Sequence, residues 1–141
     1  MPTYTYTNST SQSGYSVQQD VSVSNLDAVS SNITKITLSV TFSSSSWQGI
    51  ECYVNDPDGG SHYIFNSGSL PFGSGSRTET LVVSSSNYPS SFDGTWEFHL
   101  SDMMMNSITV SSASVIAEVS GGASFKAYYI SNINGVTGFN Q

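Results

Sequence analysis

The residues with the clearest potential for chemistry are the carboxylates of a short acidic turn, Asn55-Asp56-Pro57-Asp58-Gly59. Oxygen ligands grouped on a turn suit Ca²⁺, which takes about six to eight of them. Asp56 and Asp58 would supply only part of that shell, so backbone and water would have to complete it. The sequence predicts at most a weak Ca²⁺ site at Asp56 and Asp58 and no other cofactor. A purely structural turn is the alternative.

Other side chains capable of catalysis do not form a motif. His62 and His99 lie far apart, and serines are so abundant that a chance Ser-His-Asp set has little meaning. No nucleophile elbow of the G-x-S-x-G type occurs. Asp93 and Asp102 are a conceivable pair for acid–base work, but both are placed like residues at strand ends or turns. The sequence therefore predicts a protein that is not an enzyme.

Cys52 is the only cysteine, so the chain forms no internal disulfide. A reactive or metal-binding thiol needs a basic neighbour or further ligands, whereas the surrounding sequence is acidic. Cys52 is expected to pack as a small apolar residue on a strand.

The elements that position these residues show the two-residue period of half-buried strands. Between residues 35 and 42 the apolar side chains alternate with polar ones, and between residues 95 and 100 they alternate again, with Trp96 as the core anchor. We expect Ile36, Leu38, Val40, Trp96 and Phe98 to be buried. Seven to nine short strands without helical intervals predict an all-β, antiparallel, two-sheet sandwich of jelly-roll type. An immunoglobulin-like sandwich is the alternative.

Three further segments carry specific expectations. Residues 108–110 and 115–119 are predicted to be two strands separated by the polar stretch SSAS. Leu70 and Phe72 stand together in a Gly/Ser-rich loop, where such an apolar pair is expected to pin the loop to the core. Residues 1–13 are either a free arm or an edge strand, residues 14–120 form the sandwich, and residues 121–141 add an extra strand and a tail.

Two blocks of the sequence resemble a known family. The pattern I-x-x-I-x-L-x-V-x-F from Ile33, followed by W-x-G-I-E-C-x-V-x-D-P-D-G from Trp47, is similar to the P (Homo B) domain attached to kexin- and furin-like subtilisin proteases. The second block, F-D-G-T-W-E-F-H-L-S-D from Phe92, resembles the same family. The resemblance implies a jelly-roll sandwich and, as one function, an accessory module that steadies a protease or binds carbohydrate. Ile50 stands where the family usually has Asp, so we carry over the fold alone.

The composition of the chain limits the classes of partner that the protein can bind. The formal net charge is −7, with only three basic residues, which removes the electrostatic attraction on which nucleic-acid binding depends. The same charge disfavours anionic membranes, and no apolar run approaches the ~20 residues of a spanning helix. The N-terminal residues lack the basic start and apolar segment of a secretory signal. An excised mature domain and export by another route, such as release inside a virus particle, are the alternatives.

The function that these observations favour is a non-catalytic structural or interaction protein of a virion, or an extracellular one. We expect a phage decoration, capsid-associated or fibre-type protein that binds copies of itself or a capsid or tail protein through its termini. A cell-surface glycan is a further candidate ligand, because tyrosines are frequent and suit sugar stacking. The predicted interface residues lie near both ends of the chain: Tyr4, Tyr6, Phe125, Tyr128, Tyr129 and Phe139.

Overall fold

The strands of the protein pack as two antiparallel sheets, in a computed structural model that describes residues 2–120. The strands are β1 (Thr3–Asn8), β2 (Gln12–Gly14), β3 (Ser16–Val23), β4 (Ile33–Ser44), β5 (Ile50–Asn55), β6 (Ser61–Phe65), β7 (Gly75–Val83), β8 (Gly94–Asp102) and β9 (Ile108–Val119). Two short 3₁₀ turns, Asp27–Asn32 and Ser85–Asn87, are the only helical segments among the described residues, and neither is long enough to cross a membrane.

The strand order identifies the sandwich as a jelly roll. Sheet 1 has the order β1-β9-β4-β7, with β2 also paired to β9, and sheet 2 has the order β3-β8-β5-β6. Successive strands therefore cross between the sheets except from β1 to β2 and at the β5–β6 hairpin, which gives two interlocked Greek keys. The predicted all-β, jelly-roll-like sandwich is confirmed.

The core lies between the sheets and consists of the inward side chains of each strand. Ile36, Leu38, Val40, Trp96 and Phe98 are each fully buried, as their two-residue spacing predicted. The Trp96 indole N–H donates to the Phe92 carbonyl at 2.9 Å, so its one polar atom is satisfied in the core. Cys52 is also buried and free, and burial raises the pKa of its thiol, which agrees with an inert packing role.

The prediction of two strands after residue 107 is wrong, because β9 runs without a break through the SSAS stretch. Thr41 pairs with Ser112 while Phe42 pairs with Val110, so Ser111 is an extra residue in the ladder. Such a β-bulge shifts the inward phase by one residue. Val110 and Ala113 both face the core, although they are three residues apart and not two. In the sequence this change of spacing resembles a break between two strands.

Of the two alternatives for the N-terminal residues, an arm or an edge strand, the structure has the edge strand. β1 and β2 follow one another along β9, with Thr3 opposite Glu118 and Gly14 opposite Ile108. The buried amide of Gln19 closes the gap between them, since its Nε2 donates to the carbonyls of Asn8 at 3.2 Å and Thr10 at 2.6 Å. The N-terminal segment is thus part of sheet 1.

Replacing Trp96 tests the core assignment. We expect Trp96→Ala to lower the free energy of unfolding by about 3–5 kcal/mol, because a large buried side chain leaves a cavity. Denaturant unfolding measures the change, and Tyr15→Ala, at a side chain 55% exposed, is the matched control. A Trp96→Ala effect no larger than that of the control would contradict the packing described here.

Candidate interaction site

Four connections of the chain meet at one end of the sandwich. Ser16 pairs with Ser101, Ile50 pairs with Asp102, and Ser44 pairs with Ile108, so the starts of β3, β5 and β9 lie beside the ends of β8 and β4. The end therefore comprises Tyr15 together with the connections 45–49, 66–74 and 103–107. Antiparallel pairing alone dictates this convergence.

Backbone hydrogen bonds join these connections into one surface. The Trp47 N–H donates to the Gly73 carbonyl at 3.0 Å, and the Gly68 N–H donates to the Gln48 carbonyl at 3.0 Å. The Met103 N–H donates to the Gly49 carbonyl at 3.1 Å. The first two bonds join connection 45–49 to connection 66–74, and the third joins it to connection 103–107, so the three are held as a unit.

Two glycines make the close packing possible. A Cβ at Gly49 would lie 2.5 Å from Oδ1 of Asp102, and a Cβ at Gly73 would lie 2.5 Å from the Trp47 ring. Trp47 is fixed further by its indole N–H, which donates to the Gly75 carbonyl at 3.0 Å, and by the Arg77 guanidinium 4.8 Å from its ring centroid. Packing and hydrogen bonds therefore hold the connections at this end in fixed positions.

A methionine turn projects from this end. Oδ1 of Asp102 accepts from the Met104 N–H at 2.8 Å, and the Asp102 carbonyl accepts from the Met105 N–H at 3.0 Å. Met105 has a φ of 62°, which an L side chain adopts at an energetic cost. The turn holds Met103, Met104 and Met105 in water, with exposed fractions of 74%, 60% and 64%.

Most of the large apolar side chains that the described residues expose lie here. Five of the seven form a group that we call the apolar apex: Tyr15, Phe72, Met103, Met104 and Met105. The expectation that Leu70 and Phe72 both pin their loop is correct for Leu70, which is buried, and wrong for Phe72, which is 88% exposed. Sequence reasoning missed the apex, although three successive methionines in a turn were a signal.

Beside the apolar apex lies a small cleft of ≈ 160 Å³, which we call the apex cleft, lined by Gly49, Glu51, Ser67, Ser101, Asp102 and Met103. Asp102 is only 5% exposed, and its Oδ2 has no hydrogen-bond partner among the described residues. A buried carboxylate oxygen without a donor is energetically unfavourable. The apex cleft is thus lined by the carboxylate residues Glu51 and Asp102, and the partnerless Oδ2 is enclosed in its wall.

The residues predicted as Ca²⁺ ligands lie at the opposite end of the sandwich and have other partners. Oδ1 of Asp56 accepts from the N–H groups of Asp58 at 2.9 Å and Gly60 at 3.0 Å, while its Oδ2 lies 2.7 Å from Nε2 of His62. Oδ2 of Asp58 accepts from the Ser90 N–H and hydroxyl at 2.6 and 2.7 Å. A cation would have to compete with these bonds, and no group of three metal-ligating side chains occurs in residues 2–120.

The histidines and the carboxylate pair do not come together. His62 is buried with Asp56 beside Trp96, whereas His99 lies on the outer face of sheet 2, 3.2 Å from Glu97. Asp93 and Asp102 lie at opposite ends of β8, about 30 Å apart for a nine-residue strand. Neither imidazole shares a hydrogen bond with a serine hydroxyl in the described part of the chain.

Two tyrosines, Tyr53 and Tyr63, form a cross-strand row with His99 on sheet 2. The rings of Tyr53 and His99 are stacked with centroids 4.8 Å apart, and Tyr63 lies 5.4 Å from Tyr53. The Tyr53 ring is thus covered on one face by His99, whereas Tyr63 is tilted by 36° against Tyr53 and stays exposed.

The predicted interface residues of the N-terminal segment are half-buried. Tyr4 and Tyr6 pack against the core, and the Tyr6 hydroxyl donates to the Ser24 carbonyl at 2.6 Å. Partial burial raises the pKa of Tyr6, and the nearby Asp93 charge adds to the effect. The other four, Phe125, Tyr128, Tyr129 and Phe139, lie outside the described residues.

Comparison with known proteins assigns no family. No protein-family model matches the chain, and no curated protein matches its sequence. The resemblance to the P domain stays a prediction.

Acid should destabilise the protein through two aspartates. Hydrogen bonds from Ser91 and Phe92 lower the pKa of Asp27, and those from Ser90 lower the pKa of Asp58. The stability that each carboxylate contributes is present above its unfolded pKa and is lost as the pH falls through the folded pKa. We expect the free energy of unfolding to fall below about pH 4.

Denaturant unfolding across this range measures the effect. Asp27→Asn and Asp58→Asn should each flatten the pH profile, whereas Asp20→Asn, at an exposed side chain bonded to the Gln18 amide, should not. Unchanged profiles in both test variants would contradict the assignment.

Removal of divalent cations tests whether the acidic turn binds Ca²⁺. Because the oxygens of Asp56 and Asp58 already accept protein hydrogen bonds, excess EDTA should shift the melting temperature by less than about 1 °C. Differential scanning fluorimetry measures the shift. A large drop that Ca²⁺ alone restores, and that Asp58→Asn abolishes, would instead identify a Ca²⁺ site.

Proposed function

We propose that this protein is a non-catalytic structural module that assembles with copies of itself or with the proteins of a larger particle. A virion is the particle that we favour, with the module as a decoration, capsid-associated or fibre-type protein, and an extracellular assembly is the other setting. The observation that carries the proposal is the apolar apex. Five exposed large side chains gathered at one end are typical of a protein interface, whereas isolated ones are ordinary.

The chemistry of the apolar apex suits a protein partner. Methionine side chains adapt to irregular surfaces and are frequent at binding sites, and aromatic rings supply large contact areas. The Met105 backbone accepts an unfavourable φ while the methionine side chains stand in water. Stability alone does not favour either feature, so docking gives a reason for both.

Charge supports protein contacts over nucleic acid. The two basic side chains of the described residues are both close to glutamates on sheet 1, Lys35 at 3.9 Å from Glu118 and Arg77 at 2.6 Å from Glu79. Neither contributes to a basic patch of the kind that phosphate recognition needs. The jelly roll occurs in viral capsid and lectin domains, but this analogy of fold adds only secondary support.

The accessory-module alternative has less support. Carbohydrate binding would need exposed ring faces, and in the aromatic row on sheet 2 the Tyr53 ring is stacked on His99, which leaves Tyr63 as the exposed ring. Steadying a protease rests on the resemblance to the P domain alone.

Light scattering across a concentration series tests the proposal. We expect the full chain to self-associate, and Met103→Ser combined with Met104→Ser to weaken association at least about tenfold, since apolar anchors dominate interface energies. The matched control is Tyr63→Ser with Val82→Ser, which removes exposed apolar side chains elsewhere. A full chain that stays monomeric at high concentration would contradict self-assembly, and equal losses in both variants would contradict the role of the apolar apex.

A further inference from the structure

We infer that the apolar apex and the apex cleft of one copy receive the C-terminal segment, residues 121–141, of a second copy, with Lys126 binding Glu51 and Asp102. The inference rests on the proposed self-assembly and names the two surfaces that would produce it. Four observations lead to it: the two carboxylates that line the apex cleft, the distribution of charge, the match of apolar surfaces, and the position where the described chain ends.

The acceptors are the carboxylates of Glu51 and Asp102, which line the cleft, and the partnerless Oδ2 of Asp102 lies buried in its wall. A lysine ammonium carries three donors on a long apolar stem, so it fits a narrow cleft with a carboxylate inside. The stem would pass beside Met103 at the cleft wall. One lysine would thus offset the negative charge of the cleft and cover apolar surface at once.

Charge points to one lysine in particular. The chain has three basic residues, and two of them, Lys35 and Arg77, lie beside glutamates on sheet 1. The third is Lys126. All ten acidic residues precede residue 121, so the segment 121–141 has a formal charge of +1 (one Lys, no Asp or Glu) and residues 1–120 carry −8 (two basic minus ten acidic). The segment and the sandwich are electrostatically complementary.

The apolar surfaces also match. Residues flanking Lys126 in the sequence are aromatic and aliphatic: Phe125, Tyr128, Tyr129 and Ile130. Binding at the apex cleft would bring these side chains against Phe72 and the methionines, the part of the described surface with most exposed apolar area. An ion pair surrounded by apolar contacts is the arrangement found at interface hot spots.

The exit point of the chain makes the contact intermolecular. β9 begins near the apolar apex at Ile108 and ends at Val119, so its twelve residues span about 36 Å toward the other end. Lys126 follows Ser120 by six residues, which reach at most about 20 Å when fully extended. Lys126 therefore falls short of the apex cleft in its own chain, whereas a second copy stacked end to end brings that cleft within reach.

Such a contact is heterologous, because each copy offers one segment and one apex. Repetition closes into a ring or continues as a filament. Only one type of interface is required. Its two halves, the C-terminal segment and the apolar apex, can be altered by separate substitutions.

A charge exchange tests the ion pair in the full chain. Lys126→Glu should raise the dissociation constant of self-association at least about tenfold, as loss of a close interfacial charge pair does. Glu51→Lys should do the same, and the chain with both changes should recover most of the lost affinity. Lys35→Glu is the control, since that side chain lies on sheet 1 and should have little effect. Sedimentation velocity gives the constants.

Mixing two damaged chains tests the polarity of the contact. One variant carries Phe125→Ser and Lys126→Glu, and the other carries Met103→Ser and Met104→Ser. Each should be monomeric alone, while their mixture should form a 1:1 dimer through the one intact pair of surfaces.

The outcomes separate the two proposals. A monomeric native chain would overturn self-assembly and this inference together. A native chain that associates while the segment variant associates equally well would overturn only this inference, as would a mixture that stays monomeric. Association of the segment variant alone would show an apex-to-apex contact instead.

Discussion

The pairing of β4 with β9 is the constraint on which the rest of the structure depends. The two strands form the centre of sheet 1 and pair from Ile33 opposite Val119 to Ser44 opposite Ile108, with one register shift between Ile33 and Lys35 and another between Thr41 and Phe42. Backbone hydrogen bonds along such a ladder fix which side chains enter the core, because a shift of one residue would invert every face. The bulge at Ser111 absorbs the one change of phase in β9 and keeps Ile108 and Val119 both buried. The length of this ladder also sets the distance between the apolar apex and the point where β9 ends.

The core could be predicted because the pattern that specifies each buried face lies within a single strand. The alternation of Ile36, Leu38 and Val40, and that of Trp96 and Phe98, each specifies one buried face without knowledge of the partner strand. Many short strands without helices then lead to a sandwich, and the observed order of strands is that of a jelly roll.

The remaining features depend on contacts between distant segments, which a pattern in one segment does not contain. Asp27 and Asp93 bind one another's backbone across the end of the sandwich, with Asp93 accepting from Leu26 and Asp27 from Phe92. The buried Asp56–His62 pair and the position of Gln19 behind the N-terminal strands are equally non-local. The exposure of Phe72 also depends on distant contacts. Leu70 is buried beneath the loop, whereas Phe72 is exposed.

The carboxylates at the two ends of the sandwich differ in their hydrogen-bond partners. At the end that holds Asp27, Asp56, Asp58 and Asp93, the carboxylates accept backbone or side-chain hydrogen bonds and the acidic residues serve the turns. At the apical end, Asp102 keeps an oxygen without a partner beside a group of exposed methionines. A buried acceptor without a donor is unfavourable, and a cluster of exposed large apolar side chains is typical of a contact surface. This asymmetry is the physical basis for placing the interaction site at the apolar apex.

The most direct test is methionine-methyl NMR of the full chain as its concentration is raised from micromolar to millimolar. The chain has four methionines, so the signals of Met103, Met104 and Met105 can be assigned by single Met→Leu variants. If the apolar apex is the docking surface, these three signals shift or broaden with concentration, and in a sample labelled at valine as well they do so before the methyl signals of Val82. Methyl signals that stay sharp and unmoved while light scattering shows association would contradict the account.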